Sequence, residues 1–316
     1  MRADTSWLAA RRWGVFCHYL GAAPSTSGGA ELTADAWNRQ VDAFDADGLV
    51  AQLAGIGAPY FCLTIGQNSG HYLAPNPVYD EYVGIRPSKC SRRDLVAELA
   101  AALARHDIPL LVYLPSGAPA ADPVAVARLE WAWGYEGNWP TWGTRRTGAR
   151  LAAFQRRWEA VVREWSRRWG AQVRGWWIDG CYFADEMYRH PEPPNFASFT
   201  AALKAGNPAA LVAYNPGVRV PVVCHTEHED FTAGEISTAF PECPGPFVDG
   251  ARYHILSYLG STWCGGAAPR FPDAFVLGYT QHVASKGGVV TWDVPIQRNG
   301  LIPTPFLGQL EALRRA

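Results

Sequence analysis

Net charge, paired cysteines and long apolar runs are what this sequence has least of, and each absence closes off a class of function. Twenty-eight Lys and Arg against 29 Asp and Glu leave a formal charge of −1. No global field therefore recommends nucleic acid or an anionic membrane as a partner. No run approaches the roughly 20 apolar residues of a transmembrane helix, and Met1 to Arg12 holds no apolar core of signal-peptide length. A soluble protein is expected, cytoplasmic if Met1 is the native start. The seven cysteines (Cys17, Cys62, Cys90, Cys181, Cys224, Cys243, Cys264) are odd in number and contain no CxxC pair. That argues against a disulfide framework, and Cys17 and Cys62, inside predicted strands, read as small buried thiols. No cofactor is expected, and the oligomeric state is left open.

What is present is apolar and aromatic. A chain of 316 residues with 48% hydrophobic content is long enough to bury one large core. Fourteen Trp and thirteen Tyr are many for this length, and several sit in Gly/Pro-rich loops rather than on periodic faces. Flat aromatic rings suit the apolar faces of sugars, although large barrels also use Trp as filler.

The stretch Gly175-Trp176-Trp177-Ile178-Asp179-Gly180 organises the rest. An apolar run of strand formers ends at a carboxylate and a glycine, as a buried parallel strand does when it delivers Asp179 to its C-terminal mouth. Barrel enzymes keep their chemistry at that end. Alone, Asp179 is equally a helix N-cap or a turn residue.

Other strands are predicted at 13–19, 58–65, 108–114, 211–214 and 289–294. Helices are predicted from Asp45 to Ile56, from Ser91 to His106, from Phe196 to Ala205, from Phe275 to Lys286 and from Phe306 to Arg314. Ser91 is the expected cap of the second of these, with Asp94 in its first turn. Leu151, Phe154, Trp158, Val161, Trp165 and Trp169 step by three and four along one face of a further helix. Strand and helix alternate, so the fold class is α/β with a parallel sheet. No repeat, low-complexity tract or composition break marks a second domain, and residues 1–316 are expected to form a single domain. Gly117 to Arg150, rich in Trp, Pro and Gly, reads as a surface excursion over the barrel mouth.

These segments, taken together, resemble the catalytic barrel of the family 29 glycoside hydrolases, the retaining α-L-fucosidases. Trp13-Gly14-Val15-Phe16-Cys17-His18-Tyr19 is similar to that family's FGxFxHWG strand. Phe44-Asp45-Ala46 followed by Gly57-Ala58-Pro59-Tyr60 is similar to its FDA and GAKY segments, and Arg93-Asp94-Leu95-Val96 to its RDLV helix start. Gly175 to Gly180 resembles the LLWFDG strand, Asn207-Pro208-Ala209-Ala210-Leu211-Val212 the NPDALV strand, and Ser285-Lys286-Gly287-Gly288 the SKGG segment. The resemblance implies a TIM-like (β/α)8 barrel with Asp179 as nucleophile. Because the chain stops at Ala316, it is expected to lack the family's C-terminal β-sandwich.

The departures bear on specificity. The family's KHHDGF loop, whose two histidines hold fucose hydroxyls, stands here as Gly66-Gln67-Asn68-Ser69-Gly70-His71. Gln67, Asn68 and His71 remain as hydroxyl ligands. The late W-E-x-C segment falls at Tyr253-His254, without its acid.

A retaining glycosidase needs a carboxylate nucleophile and, roughly 5 to 5.5 Å away, a carboxylic acid whose proton is held to higher pH. Asp179 is the first candidate. The second is sought in His225-Thr226-Glu227-His228-Glu229-Asp230-Phe231-Thr232, which resembles the family's GDFxTPE region. Glu229 and Asp230 lead, with Glu235 and Glu242 behind, and a solvated acidic loop is the alternative for any of them. His18 is a sugar ligand or a satisfied rim histidine. Trp177, on the same side of its strand as Asp179 by i, i+2 alternation, is core or ligand. Tyr113, Trp142, Trp263, Glu235 and Asp293 complete the candidate substrate contacts.

The reading is a retaining glycosidase acting on an α-linked deoxy sugar or a related sugar, in a small-molecule or oligosaccharide glycoside. Two alternatives stand beside it. One is a sugar-binding barrel without turnover, motivated by the missing histidine pair. The other is a metal-dependent hydrolase using His225, Glu227 and His228, whose spacing matches no HExxH pattern.

Overall fold

The computed structural model describes residues 2–21, 32–133, 147–181 and 188–315. The elements, in chain order, are α1 (Ser6–Arg11), β1 (Trp13–Cys17), α2 (Ala34–Asp42), α3 (Ala46–Gly55), β2 (Phe61–Thr64), α4 (Pro77–Val83), α5 (Leu95–Ala104), β3 (Leu110–Pro115), α6 (Pro123–Leu129), α7 (Ala152–Trp169) and β4 (Val173–Asp179). They continue with α8 (Phe196–Leu203), β5 (Leu211–Tyr214), the short antiparallel pair β6 (Phe247–Val248) and β7 (Ala251–Arg252), β8 (His254–Tyr258), α9 (Asp273–Ser285), β9 (Val289–Asp293) and α10 (Thr304–Ala312).

Local chemistry explains the helix starts. Asp45 accepts from Gly48 N and Asn76 from Tyr79 N, and Asn195 forms a reciprocal box with Ser198, each satisfying amides that a helix leaves open at its first turn. Asp94, not Ser91, caps α5: its carboxylate accepts from Ala97 N, while the Ser91 hydroxyl donates to Arg93 O. The apolar stripe of α7 is buried as its spacing predicts, with Phe154, Trp158, Val161, Trp165 and Trp169 all at 2% exposure or less. Trp165 and Trp169 stack at 6.0 Å, and Trp169 lies 5.9 Å from Trp176 on the outer face of β4. Burying each such side chain contributes about 2 to 3 kcal/mol. Gly170, at φ 51, ends the helix.

Seven strands form one parallel sheet in the order β5-β4-β3-β2-β1-β9-β8. Side chains alternate across it. Trp13, Val15, Val112, Trp176, Ile178, Val212, Ile255 and Trp292 face the helices in the larger core. Phe16, Cys62, Leu111, Tyr113, Trp177, Leu211, Ala213 and Leu256 face inward in a second, smaller cluster. Cys17 and Cys62 are both buried, one on each face.

Among the described residues the sheet is curled but is not the closed eight-stranded barrel expected from sequence. Its edges are β5 and β8, and the stretch 230–236 runs between them without forming a regular strand. On the side of β7 and β8 its backbone pairs well: Thr232 N donates to Arg252 O, Arg252 N to Asp230 O, Leu256 N to Gly234 O and Ile236 N to Leu256 O, all at 2.9 Å. On the β5 side there is one backbone bond, Asp230 N to Val212 O at 2.7 Å. The amides of Val212 and Tyr214 go instead to carboxylates, Asp230 Oδ2 at 2.9 Å and Glu229 Oε2 at 3.2 Å. Side chains here do what a ladder would do, because an edge strand's buried N–H groups must find acceptors. β8, which is not among the strands predicted from sequence, supplies the far edge.

Candidate active site

The C-terminal ends of the strands converge on Asp179, the last residue of β4. Tyr113 O–H, from β3, donates to its Oδ2 at 2.5 Å. Its Oδ1 accepts from Gly180 N at 2.7 Å and from Asn215 Nδ2 at 2.8 Å. Gly180 sits at φ 76, a conformation that glycine adopts freely, and this turns the chain so that its own amide reaches back to the carboxylate. Behind Tyr113, Gln67 Nε2 donates to the same hydroxyl at 2.6 Å, and the ring stacks on Trp177 at 5.5 Å. Three donors thus hold the carboxylate of Asp179, and two of them are themselves held from behind.

Asn215 follows β5 directly and has a second partner. Its Nδ2 also donates to Glu235 Oε2 at 2.6 Å, and its Oδ1 accepts from Gly217 N at 3.0 Å. Glu235 ends the irregular stretch beside β8, and the chain reaches that position because residue 234 is glycine. A Cβ on Gly234 would lie 1.8 Å from His254 O, and its φ is 63. Burial, followed by the negative charge of Asp179, pushes the Glu235 carboxyl up to about 7, against the opposing pull of the Asn215 bond and of His18. The site therefore pairs a carboxylate held by three donors with a second carboxyl that keeps its proton almost to neutrality. Such a pair can attack an electrophilic carbon on one side and protonate a leaving oxygen on the other.

Around this pair, His18 Nδ1 lies 2.7 Å from Asp293 Oδ1, and Asp293 Oδ2 accepts from Cys264 N at 2.7 Å. The bond to Asp293 fixes the orientation of the imidazole. Trp263 stands edge-on to His18 at 6.2 Å and packs on Tyr258 at 4.6 Å. Tyr113 thus touches Asp179 directly, Gln67 and Glu235 reach it through one intermediary, and His18, 5.5 Å from the Tyr113 ring, brings Asp293 and Trp263 alongside.

The remaining candidates lie elsewhere or beneath. Trp177 is 5% exposed and donates from its indole N–H to Ala233 O, so it forms the floor under Tyr113. His71 is 2% exposed and packs at 5.7 Å from Trp37. Asn68 is half-buried, and its carbonyl accepts from Ala121 N. Glu242 is exposed. Trp142 lies outside the described residues.

Asp230 and Glu229, the leading partners for Asp179 on sequence grounds, are the strand surrogates already described. Asp230 also takes Ala3 N at 2.6 Å and Lys204 Nζ at 2.7 Å, and Glu229 takes His225 N at 2.6 Å. Burial pushes the Glu229 carboxyl up to about 8. His225, Glu227 and His228 do not converge: the His225 ring meets Cys181 O at 3.1 Å, whereas His228 meets Glu227 at 3.5 Å. Among the described residues no three His, Cys, Asp or Glu side chains are arranged to hold a metal ion, and no helix is long and apolar enough to cross a membrane. Asn215 is the residue of this cluster that sequence reasoning misses. Its one signal is its position, immediately after a strand as Asp179 ends one.

No protein-family model matches the chain, and no curated protein matches it. Solved structures do. The endo-fucoidan hydrolase MfFcnA4 of glycoside hydrolase family 107 superposes with a TM-score of 0.71 at 17% identity, over 98% of this chain and 53% of that one. A second endo-fucoidan hydrolase of that family, P5AFcnA, gives 0.68 at 16%, over 96% and 90%. The α-L-fucosidase AlfC from Lactobacillus casei, in complex with its α-L-fucose product, gives 0.67 at 16%, over 98% and 97%. The chain spans about half the length of MfFcnA4 and almost the whole of AlfC. At these identities the likeness is one of fold: the curled parallel sheet and its helices follow the architecture of fucosidase-like glycoside hydrolases.

Proposed function

We propose that the protein is a retaining glycoside hydrolase acting on an α-linked deoxy sugar of the fucose type or a related sugar, with Asp179 as nucleophile and Glu235 as acid/base. The observation that carries this reading is the shared contact on Asn215. The two N–H groups of an amide nitrogen point about 120° apart, so oxygens bonded to it at 2.8 and 2.6 Å lie a little under about 5 Å from each other. That is close to the roughly 5 to 5.5 Å separation of a double-displacement pair and well short of the roughly 6.5 to 9.5 Å of an inverting one. The resemblance of the strand segments to family 29 and the shared fold support the same reading.

In the proposed reaction Asp179 attacks the anomeric carbon while Glu235 gives its proton to the glycosidic oxygen, and the carbon–oxygen bond to the leaving group breaks. A covalent glycosyl ester on Asp179 results. Glu235, now a carboxylate, takes a proton from water as the water oxygen attacks the same carbon; the ester bond to Asp179 breaks, releasing the sugar and restoring the Asp179 carboxylate and the protonated Glu235. Tyr113 and Asn215 orient Asp179, and Trp263 beside His18 offers an aromatic face to the ring. A sugar-binding barrel without turnover would lack a second acid beside Asp179, and the position of Glu235 favours the enzyme over it.

The test is hydrolysis of a panel of 4-nitrophenyl glycosides, α-L-fucoside included, by wild type and Asp179→Ala in parallel. Turnover that vanishes in the variant, with the circular dichroism spectrum unchanged, is expected. Equal turnover in both proteins rejects the assignment.

A further inference from the structure

The position of Glu235 depends on a gap that backbone pairing leaves largely unspecified. Asn215 belongs to the β5 side of that gap and Glu235 to the stretch 230–236 on the other. Their 2.6 Å contact exists only if the two run at a fixed spacing. On the β8 side the stretch is tied by a run of amide bonds and by the Thr232 hydroxyl, which donates to His254 O and accepts from His254 N, both at 2.9 Å. On the β5 side, apart from one amide bond, the spacing rests on carboxylates. Asp230 is the better placed of the two. It is 1% exposed, and its two oxygens take a β5 amide (Val212 N), an amide of the chain's first residues (Ala3 N) and the ammonium group of Lys204, just beyond α8. Arg2 reinforces the strap, its Nε donating to Glu229 O at 2.7 Å.

We infer that Asp230 is a positioning residue for Glu235: it sets the distance between β5 and the stretch that carries the acid, and Lys204 and the N-terminal residues hold it in place. The residue acts without touching substrate. A buried carboxylate joined to three separate elements resists displacement, because each bond it loses leaves a charged or polar group unsatisfied. Loss of the tie lets Glu235 drift from Asn215 and Asp179 towards water, and a misplacement of about 1 Å is enough to cost a large factor in rate. The groups facing Glu235 are Asp179, Asn215 and His18. None of them is changed in the experiment below, so a change in how Glu235 titrates reports its displacement.

This inference rests on the reading of Glu235 as acid/base, and the experiment keeps the two apart. Asp230→Asn and Lys204→Met are made in the full chain; the second keeps Asp230 but strips its buried carboxylate of the ammonium group that holds it on the amides of Val212 and Ala3. Ionisation of Glu235 is followed by the carboxyl stretching band that disappears in Glu235→Gln, and kcat and KM are measured on whichever glycoside the wild type hydrolyses. In both variants the Glu235 midpoint is expected to move from about 7 down towards the ordinary carboxylate range, and kcat to fall about tenfold or more with KM nearly unchanged. Folded variants in which Glu235 titrates as in the wild type overturn the inference, even if their melting temperature is lowered. If Asp230→Asn does not fold, Lys204→Met alone decides. A wild type inactive on every glycoside counts against the proposed function, while the titration still decides the role of Asp230.

Discussion

Asp179 and Glu235 accept hydrogen bonds from the same nitrogen, Nδ2 of Asn215, at 2.8 and 2.6 Å. Each N–H of that carboxamide serves one acid, and its oxygen is taken by Gly217 N, so the amide has no alternative orientation that keeps its partners satisfied. Asn215 is the part that turns two separate carboxyl groups into a pair.

Replacing Asn215 with Ala is therefore expected to lower kcat/KM by about 10²-fold, the scale seen when one preorganised donor is removed from a reacting centre. Because the Asn215 bond pulls the Glu235 proton affinity down, its loss moves the alkaline limb of the pH profile to higher pH. Steady-state kinetics across pH on a 4-nitrophenyl glycoside check both effects. A limb that stays in place while the rate falls would contradict the shared-donor geometry.

Glu235 gives the pH dependence of activity a definite sign. Its proton is present below about 7 and lost above, so kcat/KM on a substrate with a poor leaving group is expected to decline on the alkaline side of neutrality. Glu235→Gln carries no ionisable proton and removes that limb. The variant is expected to lose most activity on alkyl glycosides and to retain more on activated aryl glycosides, whose leaving groups need little protonation. An unchanged limb in Glu235→Gln would assign it to another group.

Glu229 bears on stability rather than turnover. Its buried carboxyl is raised from 4.5 to about 8, chiefly by burial, so the folded protein holds a proton that the unfolded chain releases. Stability is then fully present below the ordinary carboxylate range, falls as pH rises from there to about 8, and levels off above. The loss amounts to a few kcal/mol at most, since each tenfold difference in proton affinity between the folded and unfolded chain is worth roughly 1.4 kcal/mol. Urea midpoints measured from about pH 5 to about pH 9 should fall in the wild type and flatten in Glu229→Gln, which is less stable throughout because its single oxygen can accept from only one of the amides of His225 and Tyr214. The residual slope below about pH 7 combines Glu235 and Glu159, whose carboxyls burial raises in the same direction, with the opposing slope of His254, whose imidazole burial holds down to about 4. A wild-type midpoint that does not fall between about pH 7 and about pH 8, above the range in which His254 contributes, would show that Glu229 folds ionised.

The sequence by itself determined the parallel α/β architecture, most strands and helices, the tryptophan stripe of α7, and Asp179 at the mouth of β4. These follow from local periodicity: alternation by two places Trp177 and Asp179 on one side of a strand, and steps of three and four place Phe154 through Trp169 on one face of a helix. The cap of α5, Asp94 rather than Ser91, turned on which side chain could reach the open amides, a distance that one or two residues of register decide.

Only the tertiary structure decided which acid meets Asp179. Glu229, Asp230 and Glu235 belong to one charged stretch, but their roles are set by what lies opposite each of them. Where the ladder beside β5 breaks off, two carboxyl groups are drawn to the amides of Val212 and Tyr214, and the third, carried past β8 by Gly234, reaches Asn215. The unpaired edge that makes this division is a property of the closed-up chain, because it depends on how far the curled sheet brings β8 round towards β5, and no local pattern of residues encodes that distance.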